Sequence, residues 1–97
     1  MSKAELLVLL GAQRETLKRR YAVKSLAIFG SAARDALSAT SDVDLLVEFD
    51  AAATFDGYFD LKFFLEDLIG RRVDLVTRSG LRSELRARVE REAIHVA

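Results

Sequence analysis

Two aspartates one residue apart, Asp42 and Asp44, stand at the head of the apolar run Val43 to Phe49. Aspartate is depleted in strands, so a pair at i and i+2 within one needs a reason. In extended chain the two side chains leave the same face, about 7 Å apart at the backbone. Like charges that close disfavour ionisation of both unless something positive sits between them. A divalent cation is the economical answer, and Mg²⁺ is commonly held by one or two carboxylates with waters and substrate phosphates. A third carboxylate, Asp74, lies in Val73-Asp74-Leu75-Val76. If that strand lies beside the Asp44 strand, Asp74 joins the cluster. Two metal ions bridged this way would clamp the attacking and leaving oxygens of an in-line phosphoryl displacement. The plainer alternative is that all three are solvent-facing residues of half-exposed strands.

A second constellation precedes the first. Gly30 ends the apolar run Ser25 to Phe29, and Ser31 opens a short Ala-rich turn of helix through Leu37. Glycine has no Cβ, so a phosphate can approach the backbone there, and a following helix start offers free amides to an anion. Ser31 adds a hydroxyl and is also a favoured N-cap, so an ordinary capped turn is the alternative.

The elements that must position these residues follow from periodicity. Leu6, Leu9, Leu10, Leu17 and Tyr21 predict one amphipathic helix over residues 3–21. Residues 25–29 suit a buried strand. From Asp42 to Phe49 the pattern alternates, with Val43, Leu45, Val47 and Phe49 on one face and Asp42, Asp44, Leu46 and Glu48 on the other. Gly57 suits a hinge or helix start. Leu61, Phe64, Leu65, Leu68 and Ile69 trace a helix closed by Gly70. Residues 72–77 make a third strand, Leu81, Leu85 and Val89 mark a last helix, and Ile94 to Val96 add a short final strand. The alternation predicts an α/β fold with a small mixed central sheet flanked by helices.

The chain has 97 residues, 51% of them hydrophobic, with no cysteine and no proline. That length predicts a single domain over residues 1–97. Lys+Arg and Asp+Glu are both 15, and this balance argues against broad nucleic-acid binding. The first residues lack the apolar core and cleavage site of a signal peptide, and no apolar run reaches membrane-spanning length. With no cysteines the expectation is a cytoplasmic protein and no membrane partner.

The combined spacing is more telling than either part. Phe29-Gly30-Ser31-Ala32-Ala33-Arg34, then Ser41-Asp42-Val43-Asp44-Leu45-Leu46-Val47, resembles the signature of the nucleotidyltransferase superfamily that includes DNA polymerase β. The resemblance is to its minimal nucleotidyltransferase branch and covers nearly the whole chain. It implies that Asp42 and Asp44 coordinate Mg²⁺, two ions in all, and that Asp74 helps ligate metal and orient or deprotonate the attacking hydroxyl. It also implies that Gly30 and Ser31 hold the triphosphate of ATP, with Arg34 and Ser41 in nucleotide-binding places. The family usually has a glycine after that arginine, whereas Asp35 stands here. The implied reaction is AMP transfer from ATP to a hydroxyl with release of pyrophosphate. For the branch paired with HEPN ribonucleases the acceptor is a toxin tyrosine, and the transferase is an antitoxin.

Other residues have plainer readings. His95 suits a partly buried or edge-strand position. Arg82, Arg86, Arg88 and Arg91 alternate with Glu84, Glu90 and Glu92, which suits a solvated helix face laced with ion pairs. Among Phe55, Tyr58, Phe59, Phe63 and Phe64 some must be core, and the surplus suits a nucleobase shelf or a partner surface. Two other functions stay open: a non-catalytic module that neutralises a partner by contact, and a transferase acting on a small molecule or RNA. Homo- or hetero-oligomers are both compatible with the sequence.

Overall fold

The computed structural model describes residues 1–52 and 54–96. A capping box opens the chain: Glu5 N donates to Ser2 Oγ at 3.1 Å and Ser2 N donates to Glu5 Oε1 at 3.2 Å. Helix α1 (Lys3–Gly11) follows, then α2 (Arg14–Tyr21). The single helix predicted over 3–21 is thus broken. Gly11, costly in a helix interior by about 1 kcal/mol against Ala, ends α1, and Gln13 takes φ −101° and ψ 12° before the chain turns helical again. The break still leaves Leu6, Leu10 and Leu17 fully buried.

Strand β1 (Val23–Phe29) leads into the short helix α3 (Gly30–Ala33), and β2 (Val43–Phe49) leads into the long helix α4 (Phe55–Ile69). Thr54 caps α4 by accepting from Gly57 N at 3.0 Å, which places Gly57 inside the first turn. Gly70 closes the helix at φ 74°, as expected of a glycine just past a helix end. Then come β3 (Val73–Thr77), a 3₁₀ turn (Arg78–Gly80), α5 (Ser83–Glu92) and β4 (Ile94–His95). The strand order is β3-β2-β1-β4, with β2 and β3 parallel and the other neighbours antiparallel. The sheet is mixed, as the sequence predicts, because α4 carries the parallel crossover.

Pairing register assigns the two faces. Leu26 opposes Val47, Ile28 opposes Leu45, Val43 lies beside Val73 and Leu45 beside Leu75. These residues form one core with Leu6, Leu10, Leu17, Leu61, Leu65 and Ile69 of the helices. Val23 and Leu26, three apart, both point inward because a bulge at Lys24 inserts an extra residue between Val23–Phe49 and Ser25–Glu48. The opposite face carries Ser25 with Glu48, Ala27 with Leu46, and Phe29 with Asp44. Helix α5 covers this face only in part and buries none of its own residues. Leu85, one of the residues whose spacing marks this helix, is 45% exposed. Instead α5 is tied on by ion pairs, Arg78 Nε to Glu90 at 2.7 Å and Arg34 Nη1 to Glu92 at 3.6 Å. No helix among the described residues is long and apolar enough to cross a membrane.

Candidate active site

The antiparallel pairing of β1 and β2 brings the end of β1 to the beginning of β2, so Phe29 opposes Asp44 and Gly30 follows directly. Gly30 takes φ +61°, a left-handed conformation open to glycine at little cost. A Cβ there would overlap Asp44 Oδ2 and stand 3.1 Å from Asp44 Cγ. The sequence suggests glycine to admit a phosphate, and the structure adds a second reason: the turn is packed against the carboxylate.

Parallel register sets Asp74 of β3 beside Asp44 of β2. The adjacency on which Asp74 depends is therefore present. Burial pushes the Asp44 carboxyl above its ordinary range. The charge of Asp74, with which it can share a proton, and then the charge of Asp42 push it further, while the Arg34 guanidinium opposes them. Asp42 lies just before β2 and is exposed. Among the described residues no three acid or imidazole side chains converge into a metal cage. The protein alone offers a close pair, Asp44 with Asp74, and a third carboxylate nearby. Such an all-oxygen, mutually repelling set fits Mg²⁺, which usually completes its shell with waters and substrate phosphates.

The remaining expected residues divide. Ser31 lies in the first turn of α3 rather than at its N-cap, which is Phe29. The helix stops at Ala33, short of Leu37, because Asp35 adopts φ +56°. That left-handed position is one where glycine is the easy choice and Asp is tolerated. The Asp35 carboxylate turns away to accept from Lys3 N at 2.7 Å. Arg34 is exposed and paired with Glu92. Ser41 is occupied within its own loop, its hydroxyl 2.8 Å from Ser38 Oγ and accepting from Ser38 N at 3.1 Å. His95 lies exposed on the edge strand β4, paired with Ala27. Phe55, Phe59 and Phe63 form a row on α4, with ring centroids 4.8 and 5.9 Å apart and its two end residues exposed. Tyr58 and Glu66, which periodicity does not single out, bond the backbone on either side of Asp74. The sequence marks Tyr58 only as one of a cluster of aromatics and gives no signal for Glu66.

A small mixed sheet with carboxylates and a glycine turn gathered at one strand end defines the nucleotidyltransferase class of α/β domains. Residues 10–96 match the model of the nucleotidyltransferase domain, and the chain belongs to that family. It is 38% identical over 88 residues to protein adenylyltransferase MntA of Thermococcus cleftensis, covering 91% of this chain and 89% of that one. A solved structure assigned as a minimal nucleotidyltransferase superposes with a TM-score of 0.84 at 39% identity, covering 97% of this chain and 95% of that one. The fold is also shared, with a TM-score of 0.67 at 18% identity, by a complex of the tri-AMPylated HEPN toxin of Shewanella oneidensis with its MNT antitoxin, covering 94% of this chain and 71% of that one.

Proposed function

We propose that this nucleotidyltransferase is an Mg²⁺-dependent protein adenylyltransferase that moves AMP from ATP to a tyrosine hydroxyl of a HEPN-family toxin, and so acts as its antitoxin. The observation that carries the reading is the register that sets Asp44 beside Asp74 with Gly30 packed against Asp44. The protein adenylyltransferase of Thermococcus cleftensis and the AMPylated toxin in the Shewanella oneidensis complex support the choice of acceptor. A cytoplasmic, single-domain protein over residues 1–97, forming a hetero-complex with its toxin, is part of the same proposal.

Gly30 and Ser31 hold the triphosphate against the start of α3, and Arg34 leaves Glu92 to meet it. Asp42, Asp44 and Asp74 would hold Mg²⁺, two ions in all, which neutralises phosphate charge. The tyrosine oxygen bonds the α-phosphorus as the bond from that phosphorus to the α–β bridging oxygen breaks. Pyrophosphate leaves, and the phenolic proton passes to the Asp74 carboxylate. Gly30 keeps the turn close to Asp44 without a side chain between them.

The test is incubation of the protein with α-labelled ATP, Mg²⁺ and the HEPN-family protein encoded beside it, with label mapped to residues by mass spectrometry. Label on a toxin tyrosine, lost in Asp44→Ala while the fold persists, is expected. Undiminished labelling by Asp44→Ala sinks the site assignment. Equal neutralisation of an unlabelled toxin by wild type and Asp44→Ala points to contact alone.

A further inference from the structure

We infer that Tyr58 and Glu66 are positioning residues for Asp74: two side chains of α4 that bond the open edge of β3 on both sides of that carboxylate and hold it opposite Asp44. The inference rests on the reading of Asp44 and Asp74 as the transfer site.

Strand β3 is the outer strand of the sheet. Backbone groups alternate in direction along a parallel strand. Val43 N bonds Arg72 O at 2.9 Å, so residues 72, 74 and 76 turn their groups to β2, and Val73 and Leu75 turn theirs to the open edge. An edge of this kind is free to shift, pair elsewhere or fray. Here the Tyr58 hydroxyl donates to Leu75 O, and Val73 N donates to Glu66 Oε2 at 2.9 Å. The two bonded residues are the immediate neighbours of Asp74. The clamp is anchored, since Leu61 and Leu65, between Tyr58 and Glu66 on α4, are fully buried. Two unlike groups, a hydroxyl donor and a carboxylate acceptor, match the two unlike backbone groups they meet. Burial, and then the charge of Asp74, raise the Tyr58 hydroxyl above its ordinary range.

What the clamp resists is the repulsion between Asp44 and Asp74, which would otherwise spread the outer strand from its neighbour. The far side of the sheet supplies a control. Arg14 Nη2 donates to Val96 O at 3.1 Å next to β4, away from Asp44 and Asp74. Arg14→Ala therefore removes a side-chain-to-backbone bond at the far side of the sheet without touching the site.

The experiment compares Tyr58→Phe, Glu66→Ala, Glu66→Gln and Arg14→Ala by transfer kinetics with ATP at saturating Mg²⁺, by Tm, and by hydrogen exchange at Val73 N. Displacing a reacting group by a fraction of an ångström to 1 Å costs roughly tenfold to a hundredfold in rate. Tyr58→Phe and Glu66→Ala are expected to lose kcat in that range with little change in KM for ATP. Glu66→Gln, which can still accept from Val73 N, is expected to recover most of it, and Arg14→Ala to keep kcat whatever its Tm. Unchanged kcat in folded Tyr58→Phe and Glu66→Ala, or an equal loss in Arg14→Ala, overturns the inference. If the wild type transfers nothing, the transfer reading fails on its own. The exchange data then decide the clamp: faster exchange at Val73 in Glu66→Ala supports it, and an unchanged rate overturns it.

Discussion

The two faces of the sheet come from the same strands and obey opposite rules. On one face Leu26 meets Val47 and Ile28 meets Leu45, all fully buried under α1, α2 and α4. On the other, Phe29 meets Asp44 and Asp44 meets Asp74, and α5 gives only partial cover. Side chains alternate along a strand, so Asp44 and Leu45 are neighbours in sequence yet lie on opposite faces of the sheet. The dry face stabilises the fold, and its stiffness is what allows the other face to hold like charges together. The site is a local loss of stability supported by the core behind it.

The sharpest way to separate the faces is to remove one member of each. Asp44→Ala should lower transfer by roughly a thousandfold, several kcal/mol of transition-state stabilisation, while urea denaturation shows a fold at least as stable as the wild type. Leu45→Ala should do the reverse: a loss of about 3 kcal/mol on unfolding, with kcat retained in the fraction that stays folded. If Asp44→Ala unfolds the protein, or Leu45→Ala leaves its urea midpoint unmoved, the division of labour is wrong.

Gly30→Ala tests the contact between turn and carboxylate. Forcing the left-handed conformation on alanine costs roughly 1–2 kcal/mol, and the overlap with Asp44 adds to it. The penalty should shrink in an Asp44→Ala background, a coupling that a double-mutant cycle reads directly. Additive penalties would mean that only backbone strain is at work.

Acidity gives a smaller effect. The folded Asp44 carboxyl is raised above its ordinary value of 3.8. A raised acid favours its neutral form in the fold, so its contribution to stability is full below that ordinary value and is lost as pH rises through the folded value. In EDTA, Asp44→Asn should therefore raise Tm at pH 7, and the gain should vanish below about pH 4. A gain that persists in acid would assign the effect to something other than charge. The smallest effect is expected from Arg34→Ala. Its exposed ion pair with Glu92 is worth under about 0.5 kcal/mol, so Tm should hardly move and any change should appear in KM for ATP. An unchanged KM removes Arg34 from the nucleotide site.

The dry face was readable in advance because period-two alternation of Val43, Leu45 and Val47 leaves one orientation for β2. The Gly70 stop was readable because a glycine just past a helix end has a conformational reason. The meeting of Asp44 with Asp74 was not, since nothing local in either segment says that β2 and β3 are parallel neighbours in that register. The bulge at Lys24 was also hidden, because only the pairing with β2 shows the extra residue. Residues 3–21 keep a helical spacing of leucines across the break at Gly11, so periodicity joined what the backbone divides. In α5 the spacing of Leu81, Leu85 and Val89 marks a helix, but spacing says nothing about whether another layer exists to bury Leu85.

The hairpin that joins Gly30 to Asp44 has a consequence for how such a chain tolerates insertions and deletions. Between Asp35 and Ser41 the chain is loop, and lengthening a loop is cheap, about 0.6 kcal/mol for each doubling. Inside β2 the same single-residue change, unless a bulge like that at Lys24 absorbs it, would slip the register and turn the side chains over. Asp44 would then enter the leucine core, and Leu45 would take its place beside Asp74. The separation of the two motifs is elastic in its middle and rigid at both ends, so related chains are best aligned by anchoring the strands and letting the loop absorb every length difference.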